Sequence, residues 1–166
     1  MPDASASTVL DGDELETWSS LATLLEWLPA ALDAQLLGDS DVTHFEYGIL
    51  YALAHAPELT LRMSVLAGYA NSSLSRLSRA AARLEKRGWM RRMPDPADGR
   101  FTLAILTDAG MAKVEQAGPG HVRTVRRLVM DPLTTMQAKQ LREISQRILG
   151  AIREEEGWRP PAGTAR

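Results

Sequence analysis

Cysteine is absent from the 166-residue sequence, which excludes structural disulfides, thiolate metal sites and thiol-based redox switching. Histidine is scarce as well. The three histidines, His44, His55 and His121, are not at metal-ligand spacing, so neither a metal site nor a cofactor is expected. No catalytic triad, carboxylate pair or phosphate-binding glycine loop is placed by a motif. The sequence therefore argues against an enzyme.

Long uncharged apolar runs are also missing. Residues 1–16 lack the positive and apolar regions of a secretory signal, and the most apolar stretch, residues 21–37, contains Glu26, Pro29 and Asp33. A hydrophobic content of 45% in 166 residues is sufficient for one domain with its own core. We therefore expect a cytoplasmic protein with no membrane partner.

Positive charge is absent from the first 61 residues, which carry eleven Asp and Glu residues. Residues 62–101 then carry nine Lys and Arg residues against three acidic ones, although the net charge of the chain is −2. A local basic surface on an otherwise anionic body is typical of a module that binds a polyanion. From charge alone, a merely solvated basic face is the alternative.

Helical periodicity and capping residues predict four helices before Gly88. The first, over residues 14–37, is amphipathic and is broken by the sequence GDSD. The second has Thr43 as its N-cap, with Glu46 completing a capping box, and ends near residue 55. A short third helix covers residues 62–69, and Asn71 or Ser72 caps the fourth, which ends at Gly88.

Beyond Gly88 the pattern changes to short aromatic and β-branched runs. Two such runs within residues 89–106 flank the turn sequence PDPADGR, which predicts a β-hairpin. Thr107 is the expected N-cap of a fifth helix that is interrupted at residues 118–120. A sixth helix follows, with an apolar stripe of Leu133, Leu141, Ile144, Ile148 and Ile152.

The stretch SSLSRLSRAAARLEKRG, residues 72–88, has two distinct helical faces. A rotation of 100° per residue places its polar side chains within about 60° of one another and its leucines opposite. A short helix, a turn and a second helix with such a face predict a helix-turn-helix, whose second helix enters the major groove. The polar face consists of Ser72, Arg76, Arg79 and Arg83, and the apolar face of Leu74, Leu77, Ala81 and Leu84.

The hairpin that follows is then a wing. Arg91 and Arg92 on its first strand and Arg100 at its tip extend the basic surface beyond the helix. An arginine at a wing tip is suited to a narrow minor groove, whose negative potential attracts it. Asp98 is expected to orient an arginine rather than to contact DNA.

Residues 61–110 resemble the MarR (multiple antibiotic resistance regulator) family of winged-helix transcription factors. The matching pieces are SxLSRL at 72–77, LEKRGW at 84–89, DPADGR at 95–100 and LTDAG at 106–110. The resemblance implies a homodimer that binds a pseudo-palindromic double-stranded DNA operator, most often as a repressor. It also implies that Ser73, Ser75, Arg76 and Arg79 face the major groove and that Arg100 lies in the minor groove. Arg62 and Arg83 are further candidate DNA contacts on the basic surface. Ala97 stands where some members have a further basic wing residue.

The fold class expected is mainly α (α+β): a winged helix-turn-helix with long N- and C-terminal dimerisation helices, about six helices and a β-hairpin wing. The first and last helices have apolar stripes that a small winged helix cannot cover, so either a second copy or an ordinary intramolecular core must do so. The expected divisions are a disordered tail (1–12), an N-terminal dimerisation helix (13–41), the DNA-binding domain (42–106), C-terminal dimerisation helices (107–153) and a second tail (154–166).

Many members of this family change their DNA affinity when a small, often aromatic anion binds between the dimer helices and the winged domain. Several aromatic side chains here lie on the elements that would line such a site, although aromatic side chains on these helices can also be ordinary core. The candidate effector-binding residues are Trp18, Trp27, His44, Tyr47 and Tyr51.

One alternative function remains. A winged helix can serve as a protein-interaction module, with its basic face docking an acidic partner and without specific DNA binding. The acidic segment at residues 1–61 is consistent with a protein-contact surface.

Overall fold

The computed structural model describes residues 8–155. Within them, six α-helices and a three-stranded antiparallel sheet confirm the predicted fold class, a mainly helical winged helix. No helix in this part of the chain is long and apolar enough to cross a membrane. Most of both predicted tails lies outside the described residues. The elements are α1 (Gly12–Ser40), α2 (His44–Ala54), β1 (Thr60–Arg62), α3 (Met63–Tyr69), α4 (Leu74–Lys86), β2 (Met90–Asp95), β3 (Asp98–Leu106), α5 (Asp108–Val125) and α6 (Thr135–Glu155).

The start of α2 is held by the predicted capping box. The hydroxyl of Thr43 accepts a hydrogen bond from the Glu46 backbone N–H, and the Glu46 carboxylate accepts one from the Thr43 backbone N–H, both at 3.1 Å. The reciprocal pair satisfies two backbone donors that the helix itself leaves free. The first turn of α2, which carries candidate site residues, is therefore firmly defined.

The first helix is longer than the sequence predicts. α1 ends within GDSD, as predicted, but only at Ser40, and its cap residue Asp41 has a left-handed φ of 52°. The Gln35 side chain donates to the Asp39 carboxylate at 3.0 Å, one turn along the helix. Arg87 also donates to the Asp41 carbonyl and pairs with its carboxylate, so a contact from α4 helps to hold the helix end.

The prediction of a break at residues 118–120 is wrong. Helix α5 continues through Pro119 to Val125 because its packing against α1 outweighs the hydrogen bond that proline cannot donate. A Cβ atom on Gly120 would lie only 3.0 Å from the Gln35 side-chain nitrogen, so the two helices approach closely here. The irregularity lies further on, where residues 126–130 form one π-helical turn.

The sheet contains a strand that sequence reasoning missed. Its order is β1-β3-β2, with β3 in the centre and Leu61 of β1 opposite Ala104. β1 is only three residues long, too short for a recognisable alternating pattern, and pairing with β3 creates it. This third strand ties the segment before α3 to the base of the wing.

One hydrophobic core joins α2, α3, α4 and the sheet to the C-terminal half of α1 and to α5. Leucines of α1, α2, α3 and α4 are completely shielded from solvent, and α5 contributes Val114 and Ala117 instead. The N-terminal half of α1 and most of α6 are exposed. The winged domain therefore packs on one face of α4 and leaves the opposite face exposed. The largest fully buried side chains are Leu36, Ile49, Leu50, Leu53, Leu66, Leu77, Leu84, Met90 and Val42.

Candidate nucleic-acid interface

The N-terminus of α4 is capped by Ser73, and not by Asn71 or Ser72 as the sequence predicts. The Ser73 hydroxyl accepts a hydrogen bond from the Arg76 backbone N–H at 3.3 Å and lies 3.2 Å from the Ser75 hydroxyl. Asn71 has a left-handed φ of 46° and completes the turn after α3, which moves the cap position along the chain. Both serines are exposed, but the Ser73 side chain is already used to cap the helix, whereas the Ser75 hydroxyl contacts only that of Ser73.

Two of the three arginines on the predicted polar face contact side chains of α2. The Arg76 guanidinium lies 4.3 Å from the centre of the Phe45 ring, and Arg83 Nε donates to Glu46 Oε1 at 2.8 Å. Burial alone would raise the pKa of Glu46, but hydrogen bonds from Arg83 and Thr43 outweigh it and lower that pKa. All three arginines are exposed, as the sequence predicts, but an aromatic ring and a carboxylate of α2 also hold two of them.

The part of the polar face of α4 whose charged side chains make no other contact is narrower than the polar face predicted from the sequence. Ser75, Arg79 and Lys86 are all exposed, and the Arg79 and Lys86 side chains make no hydrogen bond or ion pair within residues 8–155. Their charges are consequently available to a ligand without breaking an existing contact. Arg79 is in the middle of this face and has a free guanidinium group.

Leu74 does not belong to the buried face of α4, as the sequence predicts, but is 53% exposed. Ala80 takes its place in the core with an exposure of 1%. The buried face is centred on Leu77 and Ala81 in the later turns, so the first turn of α4 projects beyond the core. This projection is the geometry that a recognition helix needs to enter a groove.

The wing is fastened to α4 by Arg92. Its backbone N–H and Nε donate to the two carboxylate oxygens of Glu85 at 2.6 and 2.8 Å, and its terminal nitrogen donates to the Ser78 hydroxyl at 3.0 Å. The hydrogen bond from Arg92 lowers the pKa of Glu85. Since Glu85 and Ser78 both lie on α4, these bonds fix the angle between the helix and the hairpin.

Arg62, a predicted DNA contact, is already tied to the wing. Its Nε donates to Asp95 Oδ2 at 2.9 Å, and its guanidinium lies 4.3 Å from the centre of the Phe101 ring. The pKa of Asp95 is lowered by the Ala97 backbone N–H and by Arg62. The Arg62 side chain is nevertheless 42% exposed, so it can hold the wing and still present one edge to solvent.

At the wing tip, Arg100 is paired with Asp98 as the sequence suggests. Arg100 donates through Nε to Oδ1 at 2.9 Å and through a terminal nitrogen to Oδ2 at 2.6 Å, while its side chain stays 84% exposed. The Arg100 hydrogen bonds lower the pKa of Asp98. A groove of about 230 Å³ between Leu74 and Ser78 of α4 and Arg100 and Phe101 of the wing shows that helix and wing tip flank one concave surface.

Three of the five predicted effector residues meet at a separate cavity of about 620 Å³. His44, Tyr47 and Tyr51 line it from α2, and His121 and Arg126 line it from α5 and the π-helical turn. Trp18 and Trp27 do not line it. They lie on the exposed N-terminal half of α1, with exposures of 53% and 74%.

His121 is the cavity residue that sequence reasoning passed over. Its ring centre lies 5.5 Å from that of His44 and 4.9 Å from that of Tyr47. Burial lowers the pKa of His121, and the neighbouring His44 lowers it further. His44 and His121 are far apart in the sequence, so the pair could be predicted only if α5 were already expected to pack on α2. Within the described residues, no group of three or more His, Asp or Glu side chains could hold a metal ion.

Comparison with known proteins identifies similar chains. A family model described as the MarR family matches residues 42–102. The crystal structure of Sco3205, a MarR family transcriptional regulator from Streptomyces coelicolor in complex with DNA, is 43% identical, with a TM-score of 0.85 over 87% of this chain and 94% of that one. AbsC, a MarR family transcriptional regulator from the same organism, is 29% identical, with a TM-score of 0.84 over 88% of this chain and 98% of that one.

A curated relative matches a shorter part of the chain. The uncharacterized HTH-type transcriptional regulator YdcH of Bacillus subtilis (strain 168) is 32% identical over 87 residues. The match covers 50% of this chain and 58% of that relative, so this chain spans a little more than half of its length.

Proposed function

Because the chain belongs to the MarR family, we propose that it is a transcriptional regulator, most simply a repressor, that binds a pseudo-palindromic DNA operator as a homodimer. The observation that carries the proposal is the exposed face of α4, with the unpaired Arg79 at its centre and the wing beside it. A DNA-binding regulator acts in the cytoplasm of a bacterial cell, where the DNA lies.

In this function, α4 lies in the major groove. Ser75 and Arg79 contact base edges, and Lys86 contacts a phosphate at the far end of the helix. Arg76 and Arg83 contribute through their outer edges while α2 holds them, which limits the rotamer entropy that they lose on binding. Ser73 contributes by capping the helix.

The wing supplies the second set of contacts. Arg100 enters the minor groove beside the major groove that α4 occupies, and Asp98 holds its guanidinium in an extended position. Arg92 and Arg62 set the position of the hairpin through Glu85 and Asp95. The folded chain therefore fixes the distance between α4 in the major groove and Arg100 in the minor groove.

Apolar residues that one chain leaves exposed support the homodimer. No element in residues 8–155 packs extensively against α6, whose apolar stripe is exposed, and the first half of α1 is exposed in the same way. A second copy would bury both helices and place two α4 helices about 10 bp apart on the operator. The exposed apolar residues are Leu15, Trp18, Leu24, Leu25, Trp27, Met136, Leu141, Ile144, Ile148, Leu149 and Ile152.

The cavity between α2 and α5 is the proposed effector site. His44 faces it, and the next two residues, Phe45 and Glu46, contact Arg76 and Arg83 of α4. A ligand that shifts the first turn of α2 would therefore shift α4 directly. Occupation of the cavity by a small aromatic molecule is proposed to reduce the affinity for DNA.

Fluorescence anisotropy with the promoter beside the protein's own gene, or with a site obtained by genomic selection, tests the proposal. The Arg79→Ala variant should bind more weakly by about 1–3 kcal/mol and lose preference at one base pair of each half-site. The Lys86→Ala variant should weaken binding to all sequences alike and reduce the salt dependence by about one phosphate contact per subunit. Arg142→Ala, which removes an exposed arginine outside α4 and the wing, is the matched control. Because α6 is also the proposed dimer helix, ultracentrifugation must first show that this variant has the same mass as the wild type.

Two results would contradict the proposal: wild-type binding that does not respond to salt, or Arg79→Ala and Arg142→Ala variants that bind the operator alike. A single-chain mass in analytical ultracentrifugation at micromolar concentration would overturn the homodimer.

A further inference from the structure

One leucine interrupts the polar surface of α4. All thirteen residues of this helix are described, and Leu74 is the one large apolar side chain among them that is exposed. The hydrophobic core and the apolar side chains packed against it include Leu77, Ala80 and Leu84 of α4 but not Leu74. With an exposure of 53%, more than half of the Leu74 side chain contacts solvent.

Leu74 lies at the end of α4 that carries the polar groups proposed to contact bases. It is the first residue of the helix, and side chains in a helix point toward its N-terminus, so this side chain extends beyond the helix end. Residues four apart lie on the same face, which places Leu74 in one row with Ser78 and places Ser75 in the neighbouring row with Arg79. The leucine is therefore part of the same exposed surface.

The wing lies across a groove from the same leucine. Leu74 and Ser78 form the α4 side of this groove of about 230 Å³, and Arg100 and Phe101 belong to its wing side. The Ser78 hydroxyl is occupied by a hydrogen bond from Arg92. On the α4 side of this concave surface, Leu74 therefore supplies the apolar contact.

An apolar side chain at such a surface has a specific partner in the major groove. Thymine carries a C5-methyl group there, which the other three standard bases lack, and apolar side chains contact it. Phosphate and sugar groups bind positive charges and hydrogen-bond donors, neither of which a leucine side chain has. Burial of the exposed leucine surface against a methyl group also removes apolar area from water, which is favourable.

We propose that Leu74 is a specificity-determining residue that contacts the C5-methyl group of one thymine in each half-site of the operator. The assignment rests on the proposed function, in which α4 lies in the major groove. Leu74 and Arg79 are five residues apart in α4, or about 7.5 Å along its axis, and stacked base pairs are about 3.4 Å apart. The thymine therefore lies within about three base pairs of the one that Arg79 reads.

Replacement of single thymines by deoxyuridine tests the contact, because it removes only the methyl group and keeps the base pairing. Each thymine of an operator obtained by genomic selection is replaced in turn, in both half-sites at once, and fluorescence anisotropy measures binding of the full-length protein. For the wild type, one replacement should weaken binding about fourfold per half-site, as expected for one buried methyl group. The Leu74→Ala variant should bind the thymine and deoxyuridine operators equally at that position and respond as wild type does at the others.

Lys86→Ala is the matched control on the same helix, since the loss of a phosphate contact weakens binding to the thymine and deoxyuridine operators by the same factor. Leu74→Met keeps an apolar side chain and should keep the dependence on the methyl group. Urea unfolding of Leu74→Ala should match that of the wild type, because the side chain is exposed. If Leu74→Ala does not fold, Leu74→Gln, which removes the apolar group but keeps a long side chain, takes its place.

Two results would overturn the proposal. One is the absence of a methyl dependence at every thymine within about three base pairs of the pair that Arg79→Ala affects. The other is a Leu74→Ala variant that keeps the wild-type ratio of affinities for the thymine and deoxyuridine operators, because another residue then contacts the methyl group. Wild-type binding that does not respond to salt counts against the proposed function, whereas salt-dependent operator binding without a methyl dependence counts against the role of Leu74 alone.

Discussion

Glu46 on α2 and Arg83 on α4 form an ion pair in which the acid is buried and the base is not. The distance between Arg83 Nε and Glu46 Oε1 is 2.8 Å, with 9% of the Glu46 side chain exposed and 57% of the Arg83 side chain exposed. Glu46 also closes the capping box of α2 with Thr43. This carboxylate thus joins the start of the helix that lines the cavity to the proposed recognition helix.

Removal of Arg83 should therefore cost more than removal of an ordinary surface charge. In the Arg83→Met variant the Glu46 carboxylate stays buried without its charged partner, and the free energy of unfolding should fall by about 1–3 kcal/mol. Urea unfolding without DNA at a fixed protein concentration measures the change. Lys86→Met is the matched control on the same helix, and a similar loss in both variants would contradict the role given to the pair.

At the wing tip, Asp98 and Arg100 should act together on DNA. The Arg100→Ala variant should lose about 1–2 kcal/mol of operator binding and its preference for A·T pairs at the flanks of the operator. The Asp98→Ala variant keeps Arg100 but removes its hydrogen bonds to Asp98. We expect a smaller loss of operator binding and the same loss of preference for A·T pairs. Anisotropy titrations with operators altered only at the flanks measure both effects. Higher affinity in the Asp98→Ala variant would show that this acid repels DNA instead of positioning Arg100.

Gly110 lies where the fold leaves no room for a side chain. A Cβ atom there would lie 2.0 Å from the Trp89 carbonyl oxygen and 2.7 Å from Leu106, where α5 starts beside the wing. Because the nearest atom belongs to the backbone, the Gly110→Ala variant should lose about 3 kcal/mol in the free energy of unfolding or fail to fold. Gly38→Ala, at a helix position with open space around it, should gain up to about 1 kcal/mol in the same urea titration. Equal stabilities of the two variants would argue against the close approach.

Stability should rise with pH near the unperturbed pKa of histidine, because the folded chain lowers the pKa of His121. Below the pKa of about 6.5 of an unfolded histidine, the unfolded state binds a proton more readily than the folded state does. Stability is therefore lost as pH falls through this range, and the loss levels off below the folded pKa.

The His121→Phe variant should show a smaller decrease in the free energy of unfolding between pH 7.5 and 5.5, measured by urea unfolding. The other ionisable groups that line the cavity are His44, Tyr47, Tyr51 and Arg126, and they are unchanged in the comparison. Parallel curves for the two proteins would contradict the expected role of His121.

The sequence alone determined the order and type of the six helices and of the two hairpin strands, because each depends on neighbouring residues, whereas the third strand, β1, depends on its pairing with β3. The capping box of Thr43 and Glu46, the leucine periodicity of α4 and the turn chemistry between β2 and β3 are local, and the structure has all three. The motif around residues 73–110 also predicted the family. Local reasoning was wrong where packing decides, as at Pro119, which α5 tolerates because it lies against α1.

Tertiary structure alone decided which charges are free and which aromatic residues meet. A helical wheel places Arg76, Arg79 and Arg83 on one face, but only the position of α2 shows that Phe45 and Glu46 hold two of them and leave Arg79 unpaired. His44 and His121 are far apart in the chain, and only the packing of α5 against α2 places their rings 5.5 Å apart. The physical reason is the same in both cases: contacts between elements depend on how helices pack in three dimensions, and the periodicity of a single helix contains no information about its neighbour.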